Sequence, residues 1–307
     1  VLLVIAGATA TGKSDLALDS AERLIGAGKP AEIVNGDAMQ LYRGMDIGTA
    51  KVPVAERRGI PHHLFEHLRV DEDSTVAQYQ ADARAIIADI EQRGAVPILV
   101  GGSGLYIASV LFDLSFPGAD PQVRERLEHE LDEWGPGMLH RRLAAYDPEA
   151  AERIDPRNGR RIVRALEAIA VTGEKFSATL PSQDTLWRPT TMVILEEDRQ
   201  VLTAGLDERV ERMWEAGLVE ETAFLAEQGL ERGTTAPRAI GYAQALAELR
   251  GDMSREEAIA DAQALTRKFA RRQVSWFRRY DLALRLPAGA PSNVEAVLRA
   301  AGFGELL

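Results

Sequence analysis

The sequence predicts an α/β protein, a parallel sheet core flanked by helices with an all-helical module inserted into it. Three observations carry that prediction. Short apolar runs rich in β-branched residues, each closed by a glycine or a polar loop, alternate with helix-period segments through the first 113 residues. A glycine-rich loop of fixed spacing joins the first run to the first helix. From about Phe116 to Thr191 the strand signals vanish, and one further apolar run then returns the chain to the sheet.

The elements follow in order. Val1 to Ala6 is an apolar run that stops at Gly7, as a buried parallel strand does, and Ser14 to Ile25 has helical periodicity. A second strand is expected at Ala31–Asn35, a helix at Ala77–Gln92 and a third strand at Val96–Val100. The middle segment is Arg-rich and punctuated by Pro117, Pro121, Pro136, Pro148, Pro156, Pro181 and Pro189, which reads as a helical insertion over 116–189 between core segments 1–115 and 190–307. Thr190 to Leu195 is one more strand, and helices follow to residue 282. The best defined starts at a capping box, Ser254 with Glu257, and carries Ala258, Ala262, Leu265, Phe269, Trp276 and Tyr280 along one face, interrupted by Gln273. No internal repeat occurs.

Composition narrows the function. With 307 residues, 46% of them apolar and 27% charged, the chain has enough material for a sizeable core and about two domains. The absence of cysteine excludes disulfides, thiolate metal sites and cysteine nucleophiles. No run approaches the roughly 18 apolar residues of a membrane span, and the chain opens without a basic leader, so no membrane association and a cytoplasmic location are expected. A net charge of −11 argues against a general nucleic-acid coat protein.

Gly7-Ala-Thr-Ala-Thr-Gly12-Lys13-Ser14 fits G-x-x-x-x-G-K-[ST] between an apolar strand and an amphipathic helix, the context this phosphate loop requires. Its glycines let backbone N–H groups turn around an oxyanion, the helix dipole adds to them, Lys13 supplies a point charge, and the Ser14 hydroxyl can ligate Mg²⁺. A nucleotide-binding enzyme of this type normally adds an aspartate at a neighbouring strand end. Here the third strand ends in Gly101-Gly102-Ser103-Gly104, and Asp37, after the second strand, is the carboxylate best placed at the sheet's carboxyl edge. The residues alone leave Asp37 open as a loop cap or a catalytic base, and Ser103 as a turn residue. His62, His63, His67, His129 and His140 lack metal-ligand spacing and are expected in loops or packing.

Two basic segments stand out in an acidic chain. Arg153, Arg157, Arg160, Arg161 and Arg164 face only Asp155, and Arg267, Lys268, Arg271, Arg272, Arg278, Arg279 and Arg285 face only Asp281. Each suits a phosphate backbone or a solvated helix face. Trp276 and Phe277, beside the second segment, are expected in the core.

These pieces together resemble the tRNA dimethylallyltransferase (isopentenyltransferase) family, bacterial type. The resemblance runs through Gly7–Ser14, Asp37-Ala-Met-Gln-Leu-Tyr-Arg-Gly-Met-Asp-Ile-Gly-Thr-Ala-Lys51, Ile60-Pro-His-His-Leu64, Val100-Gly-Gly-Ser-Gly-Leu-Tyr106, Arg161–Glu167, Ala239-Ile-Gly-Tyr242 and Thr266–Trp276. It implies a P-loop NTPase-like core that holds an allylic diphosphate in place of a nucleoside triphosphate. It further implies Mg²⁺, and transfer of a dimethylallyl group from dimethylallyl diphosphate to N6 of the adenosine at tRNA position 37. Asp37 would be the general base, Ser103 would replace the family's frequent threonine, and Arg209 would neutralise diphosphate charge, with Arg212 as its nearby competitor for that role. Diphosphate contacts would fall at Gly7, Thr9, Ala10, Thr11, Gly12, Lys13 and Ser14. Contacts to the tRNA anticodon stem-loop would fall at Asp37, Ala38, Met39, Gln40, Arg124, Arg160, Arg161, Arg164, Arg238, Gly241, Tyr242, Arg272 and Gln273. The insertion would be the tRNA-binding module, and the chain is expected to act as a monomer. Ala38 stands where the family usually has serine, and Gly36 where a small side chain is common. Two rivals use parts of the same pattern: a P-loop small-molecule kinase leaves the Arg-rich insertion unexplained, and a non-catalytic RNA-binding module leaves Lys13 and Asp37 without work.

Overall fold

The structure is a computed structural model and describes residues 1–114, 116, 118, 120–176 and 185–306. Pro117 and Pro181, and residues 177–184 of the expected insertion, lie outside the described residues. The chain divides into two compact units, one formed by Val1–Leu111 with Leu186–Leu307, the other by Phe112–Thr185.

In the first unit β1 (Leu2–Gly7) leads into α1 (Lys13–Gly26), β2 (Ala31–Asn35), the short β3 (His62–His63), α2 (Val76–Gln92), β4 (Val96–Gly101) and α3 (Gly104–Leu111). In the second unit lie α4 (Pro121–Tyr146), α5 (Pro148–Arg153) and α6 (Gly159–Thr172). The first unit resumes with β5 (Thr190–Glu196), α7 (Arg199–Glu215), α8 (Leu218–Glu227), α9 (Tyr242–Arg250), α10 (Arg255–Phe277), β6 (Leu284–Pro287) and α11 (Asn293–Ala300). Among the described residues no helix is long and apolar enough to cross a membrane.

The six strands form one sheet in the order β3-β2-β4-β1-β5-β6, and every pairing is parallel. β1, β2 and β4 are buried along their whole length, so β1 and β4 read as apolar runs, while β2 also buries Glu32, paired with His63 and Arg93, and Asn35. Two strands were not legible in the sequence. β3 is formed by His62 and His63 themselves, paired with Ile33 and Val34, so these histidines sit in an edge strand and not in a loop. β6 pairs Leu284–Pro287 with Val193–Glu196.

The register aligns the strand exits. Ala6 faces Gly101, Gly7 faces Leu195, and Asn35 faces Val100, so the loops after β1, β2, β4 and β5 emerge at one edge of the sheet. That carboxyl edge is where open α/β sheets bind ligands. A Cβ on Gly101 would lie 2.2 Å from Gly36, and a Cβ on Gly7 would lie 2.7 Å from the Leu195 carbonyl oxygen. These glycines allow the exits to converge.

Among the described residues two large apolar clusters serve the first unit, and a small third of Ala8, Leu206 and Ala270 lies behind the phosphate loop. One packs the sheet against α1 and α11 through residues such as Leu3, Ile5, Leu24, Ile98 and Leu298. The other joins α7 to α10 with the chain around Tyr42 and Met45. The second unit has its own cluster, including Leu127, Leu139, Leu143, Ile162 and Leu166. Its helices begin at Asp120, Asp147 and Asn158, whose side chains accept first-turn amides. α4 breaks at Gly135 (φ 74°), just before Pro136.

Candidate active site

The phosphate loop folds as its spacing demands. Gly12 is left-handed (φ 77°) at the start of α1, and Ala10 is held at φ 65°, a conformation unusual for a residue with a Cβ. The Ala8 carbonyl accepts the Thr11 hydroxyl at 2.9 Å and the Lys13 ammonium at 2.5 Å, which folds the loop over the lysine. Burial, with Arg209 adding repulsion and Asp37 partly offsetting both, depresses the Lys13 pKa to about 8. The Arg209 guanidinium is also held below its usual range, by burial, against the pull of Asp37. Among the described residues Arg209 makes no ion pair. Two cations held this close with a single carboxylate between them leave an excess of positive charge, which a bound polyanion would satisfy.

Asp37 is fixed by the chain around it. The Asn35 side chain accepts the Asp37 N–H at 2.8 Å and donates to the Asp37 carbonyl at 2.9 Å and to the Leu64 carbonyl at 3.0 Å. The Met39 N–H then donates to Asp37 Oδ1 at 2.9 Å. Among the described residues Oδ2 has no partner. Ser103 reaches the same turn from the β4 exit, its hydroxyl accepting the Ala38 N–H at 3.0 Å. Ala38 therefore needs no hydroxyl of its own to hold this turn.

One cavity of about 320 Å³ opens here, reached by Thr9 of the phosphate loop and not by Lys13. Thr9, Asp37, Ala38, Met39, Ser103, Arg209, Arg238, Gly241 and Arg272 all face it. Ile240, within the expected contact stretch Arg238 to Tyr242, faces it too, whereas sequence reasoning missed other parts of its wall, including Gly48, Thr49, Trp214 and Phe269. Gly48 and Thr49 lie inside the motif that begins at Asp37, and Trp214 lies one turn and a residue beyond Arg209 on α7. Phe269, which its spacing puts on the apolar face of α10, lines the cavity. The Arg209 and Arg212 alternatives separate: Arg209 lines the cavity, while Arg212 is 67% exposed and lies 3.7 Å from Glu208.

The other expected site residues fall into groups. Gly7, Ala10, Thr11, Gly12, Lys13 and Ser14 form the loop itself, with the Thr11 hydroxyl used internally. Gln40 is half-buried and donates to the Thr49 carbonyl at 3.1 Å. Two expected tRNA contacts are not available to their side chains. Tyr242 is fully buried, its hydroxyl donating to Glu221 Oε1 and accepting the Gly48 N–H, so it shapes the cavity wall. Gln273 is buried, and both ends of its carboxamide are engaged within the protein. In the second unit Arg160 and Arg161 are exposed, whereas Arg124 and Arg164 converge on the fully buried carboxylate of Glu167 at 2.7 and 2.9 Å. Phe277 is buried as expected, and Trp276 is half-buried beneath the Arg279 guanidinium.

A divalent cation was tested against the donors present. Among the described residues no group of three or more His, Asp or Glu converges. Among the described residues the Ser14 hydroxyl, on the first turn of α1, makes no hydrogen bond. Such a sparse set suits Mg²⁺, which keeps its waters and binds through substrate phosphates and one or two protein oxygens.

Fold and cavity define an α/β protein of the P-loop type, whose glycine-rich loop opens beside the Asp37 carboxylate. The IPP transferase family model matches residues 40–280. The tRNA dimethylallyltransferases of Clavibacter sepedonicus and Thermobifida fusca are 55% and 53% identical, over 97% and 96% of this chain and 97% and 92% of their own. The full-length tRNA isopentenylpyrophosphate transferase of Bacillus halodurans superposes with a TM-score of 0.70 at 36% identity, covering 99% of this chain and 96% of that one. A eukaryotic dimethylallyltransferase captured acting on tRNA gives 0.81 at 30% identity, covering 97% of this chain and 77% of that one. The chain belongs to the IPP transferase family.

Proposed function

We propose that this chain transfers a dimethylallyl group from dimethylallyl diphosphate to N6 of the adenosine at tRNA position 37, releasing pyrophosphate. The observation that carries this reading is the meeting of Asp37, Arg209 and Thr9 of the phosphate loop around one cavity, with the charges of Asp37 and Arg209 felt by the buried Lys13 behind it. A kinase of small acceptors would share the cradle, but the curated relatives of nearly equal length are named for tRNA dimethylallylation.

The exocyclic amine of adenine is a poor nucleophile because its lone pair is delocalised into the ring. Its attack on the allylic carbon forms the N6–C1 bond as the C1–O bond to diphosphate breaks, and the amine proton must leave. Asp37 Oδ2, with no partner among the described residues, is the acceptor for that proton, while the Met39 N–H on Oδ1 holds the carboxylate in place. Lys13, Arg209 and the amides of the loop other than that of Thr9, which is bonded to Gln273, carry the charge that grows on the departing diphosphate. Mg²⁺, held by Ser14 and the phosphates, would add to that neutralisation. A base in an anticodon loop reaches such a cavity by leaving its stack, and the half-buried apolar wall of Met39, Ile240 and Phe269 suits a planar ring or a prenyl chain. The second unit, through exposed Arg160 and Arg161, would grip the anticodon stem. The chain would act as a monomer, and a tRNA substrate fits the expected cytoplasmic location.

The test is incubation with dimethylallyl diphosphate, Mg²⁺ and unmodified tRNA, followed by nucleoside mass spectrometry. N6-dimethylallyladenosine that depends on all three components supports the reading. Unmodified adenosine, with ATP consumed on a small acceptor instead, overturns it.

A further inference from the structure

Gln273 is a buried polar residue in the middle of α10, on a helix whose neighbouring positions 271 and 272 are exposed arginines. Its carboxamide makes two bonds of opposite sense. Oε1 accepts the Thr9 N–H at 2.9 Å, and Nε2 donates to the Gly102 carbonyl at 2.9 Å. The first partner belongs to the phosphate loop and the second to the exit of β4. A Cβ on Gly102 would lie 2.4 Å from Gln273 Nε2, so glycine there is what lets the carboxamide in.

The Thr9 bond changes how the loop works. Its N–H is spent on Gln273 and is not offered to a diphosphate, which turns the Thr9 residue toward the cavity it lines. The Gly102 bond fixes the residue before Ser103, whose hydroxyl in turn holds the Ala38 N–H next to Asp37. One side chain thus ties the loop that carries Lys13 to the turn that carries Asp37.

We propose that Gln273 is a positioning residue for prenyl transfer, holding the diphosphate cradle and the proton acceptor in register across the cavity. This rests on the function proposed above. In-line transfer needs the leaving group, the allylic carbon and the amine held to a fraction of an ångström, and a displacement of about 1 Å can cost about 100-fold in rate. The contribution appears in kcat, because the cradle and the tRNA contacts each survive when the link between them is cut.

Gln273→Glu tests the polarity of the link at constant shape. The ionised carboxylate still accepts from Thr9 but sets an oxygen against the Gly102 carbonyl. The protonated acid restores a donor and an acceptor. The expected result is a kcat about 10- to 100-fold below the parent at pH 8, with KM for dimethylallyl diphosphate and tRNA affinity within about threefold. The ratio of variant to parent kcat should then climb as the pH is lowered and the acid form returns. Gly102→Ala, which displaces the same carboxamide, should lower kcat similarly, and combining it with Gln273→Ala should cost little beyond either change alone. It also serves if the Glu variant does not fold. Parent-like kcat in both single variants, a pH-independent ratio, or full additivity in the double variant overturns the assignment. A parent enzyme that makes no prenylated tRNA overturns the functional reading instead, and this one with it.

Discussion

Asp37→Asn isolates the proton acceptor from the architecture that holds it. Asparagine keeps the oxygen that accepts the Met39 N–H at 2.9 Å, and the backbone bonds to Asn35 do not involve the Asp37 side chain, so the turn should persist. What changes is the atom facing the amine: an unpaired carboxylate oxygen becomes an NH₂ donor unable to take a proton. A positioned general base is worth about 10²- to 10⁴-fold, or about 2.7–5.5 kcal/mol of barrier at 1.36 kcal/mol per decade. The substitution also removes the one charge that raises the Lys13 pKa, so the comparison belongs near pH 6.5, where Lys13 stays protonated in both proteins. The assay is single-turnover prenyl transfer with enzyme in excess over tRNA, alongside tRNA binding. A rate lowered by at least 100-fold with tRNA affinity within about threefold is expected. A single-turnover rate within threefold of the parent would refute the assignment of Asp37 as the acceptor.

The remaining predictions concern charge. Because the Lys13 pKa is depressed to about 8, the lysine is an ammonium below that pH and neutral above it. Affinity for inorganic diphosphate should therefore fall as the pH rises through about 8, with a fractional proton taken up on binding near that pH; calorimetry in buffers of different ionisation enthalpy reads both, and Lys13→Met should abolish the uptake. Replacing exposed Arg160 and Arg161 should shrink the slope of log K against log salt for tRNA binding by roughly 0.7 to 0.9 per residue, whereas an unchanged slope assigns them to the solvated surface. Burial would raise the Glu167 carboxyl, but the Arg124 and Arg164 guanidinia outweigh it and hold the pKa below the ordinary range. The stability Glu167 gives is thus present above the ordinary carboxylate pKa and is lost as the pH falls through the depressed value. Since both arginines are partly exposed and can rehydrate, Glu167→Gln should cost about 2–3 kcal/mol, less than the usual loss for a broken buried pair, read as faster hydrogen exchange in α6.

Much of this was legible in the sequence, and the gaps have physical causes. β1 and β4 announce themselves because strands buried on both faces need apolar runs, and β2 and β5 through their β-branched centres Ile33-Val34 and Val193-Ile194. β3 and β6 are edge strands of two and four residues, too short for a period to register and built partly from His and Arg. The phosphate loop and Asp37 were legible because their chemistry is local. The wall of the cavity was not, since Gly48, Trp214 and Phe269 meet only through tertiary packing. Along α10 the face expected from apolar spacing held at Ala258 and Ala262, then gave way to Ala270, Gln273 and Phe277. Gln273 is buried because two tertiary hydrogen bonds satisfy its carboxamide, and a pattern of apolar residues cannot signal that. Arg124 and Arg164 read as free charge in the sequence, yet are engaged by a glutamate that looks like any other helix residue until α4 and α6 pack.

The proposed transfer requires one cavity to hold the diphosphate and the acceptor amine on opposite sides of the carbon being transferred. A crystal structure with a thio-diphosphate analogue of the donor and an unmodified anticodon stem-loop would show both at once. Diphosphate oxygens are expected on Lys13, Arg209 and the loop amides, with N6 of the flipped adenosine within hydrogen-bond reach of Asp37 and the allylic carbon between them. Diphosphate seated in the loop while the adenosine lies outside the cavity, or its N6 facing away from Asp37, would contradict the proposed transfer.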